Sequence, residues 1–340
     1  MKFKKSTGLF IFSIALLILL NFIQLPYYVT KPGMATELKP MIEVENGYNE
    51  EGSFSLTTVQ IGRANPFTYL WANTQKYYEV FPLDHVKYEG ESDQDYIERQ
   101  IQMMEASQES AIEIAFKKAN KPIEVQYFGV IVISVIADMP SYGKLQVGDI
   151  ITHVDGMQMK TAEEFIQYVS SKNKGEEVSI SLKRDGKEKT LKIQLDTFPN
   201  EPNKVGIGIS LITNRELMTT PSVTLDTEDI GGPSAGLMMA LEVYNQLTEE
   251  DLTKGYKIAG TGTINEKGEI GPIGGIAQKV VAADEEGIDI FLAPNEMGAQ
   301  NSNFREAVKT AKDIHSDMII VPVDTFDDAV KFLNELEAPQ

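Results

Sequence analysis

The pattern of apolar and polar positions changes several times along the chain, and its first section is a long apolar run. Residues 9–25 are apolar with three polar interruptions, and three lysines precede them. A helix over residues 8–28 would be about 30 Å long, which matches the hydrocarbon core of a bilayer. We therefore expect a transmembrane helix within residues 1–31, with the N-terminus in the cytoplasm and the rest of the chain outside the cell membrane. A signal peptide cleaved near residues 33–35 is the alternative.

The next section contains one irregular stretch and two regular patterns. Residues 32–52 are polar without periodicity, which predicts a linker. Residues 53–61 alternate apolar and polar side chains, as expected of a strand with one buried face. Residues 93–118 carry apolar side chains at helical spacing and therefore predict a long amphipathic helix.

Residues 124–197 have the pattern of a separate, β-rich domain. Asp185-Gly186 separates two alternating runs, which is a strong signal for a two-residue hairpin turn. The predicted elements are a strand at 127–135, a helix with Phe165, Ile166 and Val169 facing inward, and strands at 177–184 and 189–194.

Residues 198–340 alternate predicted strands and helices. Short apolar runs at residues 288–293 and 318–323 suit buried strands, and helical periodicity follows at residues 303–312 and 327–336. Such alternation is typical of an α/β domain. The fold class predicted for the whole chain is therefore α+β with a C-terminal α/β domain.

One serine of this last domain stands where a helix begins. Ser234 follows Gly231, Gly232 and Pro233, and apolar residues at helical spacing come after it. Proline has the φ of a first helical turn, so Ser234 is predicted to lie in that turn. Backbone N–H groups there lack intrahelical acceptors and lie at the positive end of the helix dipole. Ser234 is therefore the candidate nucleophile, with the amides of Gly232 and Ser234 as oxyanion donors.

A serine nucleophile needs a base, and Lys279 is the candidate. It lies in a predicted helix opened by Gly274-Gly275, among apolar residues at helical spacing. An ammonium in apolar surroundings has a lowered pKa, so Lys279 can be neutral enough to take the serine proton. Ser-Lys pairs are known variants of the catalytic triad.

Composition excludes several other chemistries. The net charge of −19 argues against nucleic-acid binding. The chain has no cysteine, which excludes disulfides and thiolate catalysis, and its three histidines show no metal-ligand spacing. No phosphate-binding P-loop motif occurs, so no nucleotide is expected. We predict neither a metal nor a cofactor.

The last domain resembles the proteolytic domain of the Lon family in the order and spacing of four segments. These are Gly232-Pro-Ser-Ala-Gly236, Gly260-Thr-Gly-Thr-Ile264, Gly268 to Lys279, and Phe291-Leu-Ala-Pro-Asn295. The resemblance implies that Ser234 and Lys279 form a catalytic dyad and that the Thr261 hydroxyl orients the lysine. Residues 205–340 are short for a complete fold of this type. Residues 53–123 are therefore expected to pack on it and supply the missing elements.

The domain at residues 124–197 resembles a PDZ domain, a β-sandwich-like fold. Tyr127-Phe-Gly-Val130 matches the carboxylate-binding loop, and Leu145 to Ile151 matches an internal motif. The resemblance implies that Phe128, Gly129 and Val130 bind the C-terminus of a peptide that adds as a strand. The alternative is that the chain itself occupies this groove.

The order of segments resembles the membrane-anchored, PDZ-containing Lon-like proteases of Gram-positive bacteria. The resemblance implies an ATP-independent serine endopeptidase that cleaves small secreted or membrane-associated peptides and proteins, with the PDZ domain assisting substrate selection. A PDZ peptide-binding adaptor with an inactive hydrolase fold is the alternative. The sequence leaves open whether the protein forms a homo-oligomer.

Overall fold

Two sheets organise the molecule, and the larger one carries the C-terminal α/β part. The computed structural model describes residues 10, 20–88, 91–198, 201–227 and 230–338. The larger sheet has six strands in the order β18-β17-β14-β3-β1-β4. They are β1 (Tyr27–Glu37), β3 (Ser53–Arg63), β4 (Glu79–Pro82), β14 (Lys257–Gly260), β17 (Ile290–Pro294) and β18 (Ile319–Val323).

Both faces of this sheet are covered by helices, because its central strands are apolar on both sides. Neighbouring residues of β14 show this directly: Ile258 joins one buried cluster and Ala259 joins the other. The helices are α1 (Pro66–Ala72), α2 (Asp93–Lys118), α4 (Gly236–Leu247), α5 (Ile276–Glu285), α6 (Asn303–Asp313) and α7 (Phe326–Glu335).

Elements from the first third of the chain complete this α/β domain, as predicted for residues 53–123. Strand β3 pairs in parallel with β14, and α2 packs along α4. Helix α2 has the predicted bounds and begins with a capping box between Ser92 and Asp95.

The prediction of an anchor end and a linker before residue 52 is wrong for residues 27–37 and 42–44, which form strands. Residues 27–37 form β1, which lies between β3 and β4, and Tyr28 is buried there. The pairing partners lie far along the sequence, so local polarity did not reveal them. Residues 42–44 form β2, which pairs with β13 at Val223–Leu225.

The predicted membrane anchor lies largely outside the described residues. Of residues 1–19 only Phe10 is described, and Leu20 and Asn21 are helical. Within the described part of the chain, no helix combines the length and the apolar character needed to cross a bilayer.

The second sheet belongs to the β-rich domain and has the path β12-β5-β6-β8-β9, with β7 paired to β6. Its elements are β5 (Ile123–Val135), β6 (Ile150–Val154), β7 (Met157–Gln158), α3 (Ala162–Ser170), β8 (Glu177–Arg184), β9 (Lys187–Gln194) and β12 (Ile209–Thr219). Asp185 and Gly186 both have positive φ and form the predicted hairpin turn. Ile166 is 52% exposed, so its predicted inward orientation is wrong.

Strand β12 extends this sheet beyond the predicted boundary at residue 197. It pairs with β5 from Ile209 to Thr219, so residues predicted to open the C-terminal domain belong to the second sheet. The remaining short strands are β10 (Asp196–Phe198), β11 (Glu201–Gly206), β15 (Thr263–Ile264) and β16 (Ile270–Gly271).

A buried ion cluster joins the two sheets' domains. Arg215 of β12 is 6% exposed, and its guanidinium lies 2.6 Å from Glu113 on α2 and 3.0 Å from Glu266. It also contacts Glu109 at 3.1 Å and donates to Ser110 Oγ at 2.7 Å. Helix α2 therefore contacts both the second sheet and the α/β core.

Candidate active site

The structure places Ser234 in a tight turn at the start of a buried helix, as predicted. Gly232 has φ 89°, a conformation that favours glycine, and Pro233 to Ala235 form a 3-10 turn that continues into α4. Most of α4 is buried, so the turn at its start is fixed in the core.

Two neighbouring elements hold this serine turn in place. The Ser234 carbonyl accepts hydrogen bonds from the Gly262 N–H at 2.8 Å and from Thr261 Oγ1 at 3.0 Å. From the other side, Ser107 Oγ on α2 donates to the Pro233 carbonyl at 3.0 Å. The backbone of the nucleophile is therefore positioned before any substrate binds.

Lys279 meets Ser234 inside the protein. Gly275 adopts a left-handed conformation with φ 72° at the start of α5, and Lys279 lies one turn further on. The lysine is 3% exposed, and its Nζ lies 3.0 Å from Ser234 Oγ. Burial lowers the pKa of Lys279 from 10.5 to about 7, because a charged amine is poorly solvated there. A neutral amine at this distance can accept the serine proton.

The residue that orients the lysine is Thr57, not Thr261 as the resemblance implied. Lys279 Nζ donates to the Thr57 carbonyl at 2.5 Å, whereas the Thr261 hydroxyl is directed to the serine carbonyl. Thr261 is thus placed to hold the nucleophile's backbone. Sequence reasoning missed Thr57 because its contribution is a backbone oxygen, which leaves no side-chain signal.

One of the two predicted oxyanion donors is already engaged. The Gly232 N–H donates to the Gln100 carbonyl on α2 at 2.8 Å, so that prediction is wrong for Gly232. Among the described residues, no acceptor engages the Ser234 N–H, which lies in the first turn where intrahelical acceptors are lacking. The Ser234 amide is therefore the available donor for a developing oxyanion.

The dyad lies at the base of a groove of about 780 Å³. One wall is β3 from Thr57 to Ile61, where pairing with β14 has ended at Leu56. The opposite wall is the apolar side of α2, including Ile101 and Met104. The groove therefore combines an open strand edge with an apolar face.

The predicted peptide-binding residues of the second sheet do not form a loop. Gly129 and Val130 lie within β5 opposite Asn214 and Thr213 of β12, and Val130 also pairs with Ile151 of β6. A Cβ at Gly129 would lie 2.3 Å from the Ile151 carbonyl oxygen, so this glycine permits close strand packing. Phe128 is the extra residue of a bulge in this pairing and is 42% exposed.

The edge beside β5 is therefore filled by the chain's own strand β12, which fits the alternative stated above for this groove. Strand β12 in turn forms the edge of the sheet and packs beside α3. At this contact the Ala162 N–H donates to Thr213 Oγ1 at 3.1 Å.

Family models match both halves of this architecture. Residues 105–195 match a PDZ domain, and residues 227–335 match the C-terminal proteolytic domain of Lon protease (S16). The Lon protease of Campylobacter concisus is 38% identical over 101 residues, or 29% of this chain and 12% of that protein. The Lon protease of Methanosarcina barkeri is 29% identical over 164 residues, or 44% of this chain and 19% of that protein.

Solved structures similar to the chain include the PDZ domain of an SdrC-like protein from Listeria monocytogenes. It is 39% identical over 26% of this chain and 92% of its own length, with a TM-score of 0.24. The chain spans less than a fifth of the length of the two Lon proteases described above.

A dyad of this geometry, on a domain that matches the Lon proteolytic family, defines a serine peptidase site. The chain combines this match with a match to a PDZ domain, and it is similar in both parts to PDZ-containing, Lon-type proteolytic proteins.

Proposed function

We propose that the protein is an ATP-independent serine endopeptidase that cleaves extended peptide segments. The observation that carries this proposal is the 3.0 Å approach of Lys279 Nζ to Ser234 Oγ at the base of an open groove. Burial gives Lys279 a pKa of about 7, close to that needed of a general base at neutral pH.

The reaction follows from this geometry. Lys279 Nζ takes the proton of Ser234 as Oγ bonds to the scissile carbonyl carbon, and the Ser234 N–H donates to the new oxyanion. The C–N bond then breaks, and Lys279 gives the proton to the departing amine. Water then bonds to the acyl carbon as Lys279 takes its proton, the bond between that carbon and Ser234 Oγ breaks, and Lys279 returns the proton to Oγ as the acid product leaves. The Thr57 carbonyl holds the amine in position through both steps.

The groove favours an extended, partly apolar substrate. A peptide can add to the open edge of β3 at residues 58–61, beyond the Thr57 carbonyl that Lys279 engages, using main-chain hydrogen bonds for affinity. Apolar side chains would then pack against Ile101 and Met104 on the opposite wall. A groove of about 780 Å³ suits peptides and flexible segments as substrates.

We assign substrate selection to the PDZ domain, through the exposed edge of β12 beside α3. A peptide bound there would present another part of the same molecule to Ser234 at a raised effective concentration. A homo-oligomer would add further such sites.

The apolar run at residues 9–25 supports a single-pass anchor in the cell membrane. The lysines before it favour a cytoplasmic N-terminus and an extracellular catalytic domain. Small secreted or membrane-associated proteins are then the accessible substrates. Protease added outside intact cells should digest the domain, and protection of the domain would reverse this orientation.

Unstructured protein is the direct test of the activity. The wild-type chain should cleave it without a nucleotide, and Ser234→Ala should not. Cleavage by neither would leave the PDZ-containing adaptor as the function. Cleavage by both would remove Ser234 from the mechanism.

A further inference from the structure

An exposed apolar surface lies at the end of the α/β domain where the chain emerges from residue 20. Phe67, Leu70 and Trp71 of α1 are 40%, 67% and 61% exposed, and their spacing puts them on one side of the helix. Phe22 and Ile23 are 77% and 44% exposed. We call these five residues the aromatic face.

Hydrogen bonds fix the two parts of the aromatic face next to each other. The Leu25 N–H donates to the Ala64 carbonyl at 2.8 Å, and Asn65 Nδ2 donates to Asn21 Oδ1 at 2.9 Å. Asn65 also begins α1 through a capping box with Thr68. The face therefore lies on a firmly started helix that is tied to the segment emerging from the apolar run.

Charge distinguishes this region from the rest of the protein. The chain contains 50 acidic residues, yet none occurs in residues 20–30 or 64–78, and Asp313, which reaches this region from another helix, is paired with Lys76 and Tyr77. Most of the surface would be repelled by anionic lipid, whereas this part would not. Exposed tryptophan and phenylalanine next to an apolar segment are typical of a membrane interface.

We propose that the aromatic face rests in the interface of the same bilayer that holds residues 9–21 of the apolar run. This inference extends the proposed membrane anchor. A phospholipid surface is the occupant because the apolar run ends directly beside the face, so any bilayer that takes up the run meets α1 as well.

The position of the aromatic face sets an upper limit on the height of the active site above the bilayer. Strand β3 leads from Thr57 at Lys279 to Arg63, the residue before Ala64. A strand rises roughly 3.3 Å per residue, so the dyad lies about 20 Å from the start of α1 along β3. Membrane-held substrates would therefore be cut within about 20 Å of the bilayer, a span of at most roughly six extended residues.

Trp71 is the only tryptophan of the chain, so its fluorescence reports on this surface alone. The full-length chain is placed in vesicles of phosphatidylcholine and phosphatidylglycerol whose acyl chains carry bromine. We expect loss of Trp71 emission with brominated lipid and little access for aqueous iodide. Phe67→Ser with Leu70→Ser should restore access for iodide while the chain still sediments with vesicles. Val308→Ser, which alters an exposed apolar residue of α6, is the matched control and should change neither signal.

The other outcomes separate this inference from the functions proposed above. A chain that sediments with vesicles but shows no quenching of Trp71 by brominated lipid keeps its anchor and overturns the docking of α1. A chain that does not sediment overturns both. Iodide protection without lipid that is lost on dilution assigns the face to a second copy of the chain and overturns the lipid assignment. Cleavage of a soluble peptide tests the peptidase separately and should be equal in all variants.

Discussion

Lys279 and Arg215 are both buried cations, but only Arg215 lies among carboxylates. Arg215 is surrounded by Glu109, Glu113 and Glu266, and it joins the PDZ domain to α2. Lys279 has a carbonyl and a hydroxyl as its hydrogen-bond partners, and burial alone accounts for its lowered pKa. The same burial therefore yields a permanent structural charge in one place and a proton acceptor in the other.

The difference also depends on the side chains themselves. A guanidinium cannot lose its proton in a protein, so burying it requires partners of opposite charge. A lysine can escape the cost of burial by becoming neutral. The burial of Lys279 is not offset by an opposite charge and supports catalysis at Ser234, whereas carboxylates offset the burial of Arg215 between the domains.

The largest expected effect comes from replacing Lys279 with arginine, whose side chain cannot lose its proton. Lys279→Arg keeps the charge but removes the base, so kcat/KM for an unstructured peptide should fall by about a thousand-fold or more. Ser234→Ala should lower kcat/KM by the same factor. Lys257→Arg, at an exposed position of β14, is the control and should retain activity. Substantial activity in Lys279→Arg would remove Lys279 as the base.

Replacing Arg215, the cation that lies among carboxylates, should destabilise the protein. Arg215→Met takes the guanidinium away from Glu109, Glu113 and Glu266 and leaves Glu113 with Lys117 and Tyr127, and we expect the free energy of unfolding to fall by about 3 kcal/mol. Chemical denaturation of the full chain measures this change. Lys192→Met, which removes an exposed ion pair with Glu177, should show no measurable change. Equal changes in the free energy of unfolding for the two variants would mean that the ion cluster around Arg215 does not stabilise the contact between the domains.

Replacing Lys279 with an apolar residue should instead raise the free energy of unfolding. Lys279→Met replaces a poorly solvated amine with an apolar side chain, so we expect an inactive protein that is more stable by about 1–2 kcal/mol. The pKa of Lys279 is lower in the folded than in the unfolded state, so wild-type stability from this group rises with pH between about 7 and 10.5. The advantage of the methionine variant should therefore be largest at and below pH 7. A less stable variant at pH 6 would contradict this account of the burial.

The smallest effect is the pH dependence of the wild-type enzyme. Because only neutral Lys279 accepts the serine proton, kcat/KM should decline by about tenfold per pH unit below pH 7 and level off above it. Rates on a peptide without ionisable groups measure this profile. An ascending limb near the ordinary lysine pKa would show that the amine is not desolvated during catalysis.

Sequence patterns predicted those elements whose signals are local. Helix α2 and strand β8 have the predicted bounds, and Ser234 begins its helix as expected because glycine, proline and apolar spacing act within a few residues. The spatial meeting of Ser234 and Lys279 came from family resemblance, since spacing along a chain does not give distance.

The errors concern contacts between distant segments. The sequence predicts the end of an anchor and a linker where β1 lies, because the partners that make it a strand, β3 and β4, lie elsewhere in the sequence. The sequence motif predicts that Gly129 binds a ligand. In the structure, the missing Cβ of Gly129 makes room for the Ile151 carbonyl. The Gly232 amide seemed free because its acceptor, the Gln100 carbonyl, lies on a helix far away in sequence.

The way the PDZ domain joins the chain has a practical consequence. Its first strand, β5, begins at Ile123, and its last strand, β12, ends at Thr219, and these two residues face each other in the antiparallel pair. Both crossings between the domains therefore lie about 5 Å apart. The two covalent connections of the domain therefore lie side by side, and cutting at residues 124 and 218 leaves ends that a two-residue turn can rejoin. Such an excision also removes Arg215 from the carboxylates of Glu109 and Glu113 on α2. A deletion of residues 124–195 would instead leave β12 without its partner strand, so the excision must include the last strand.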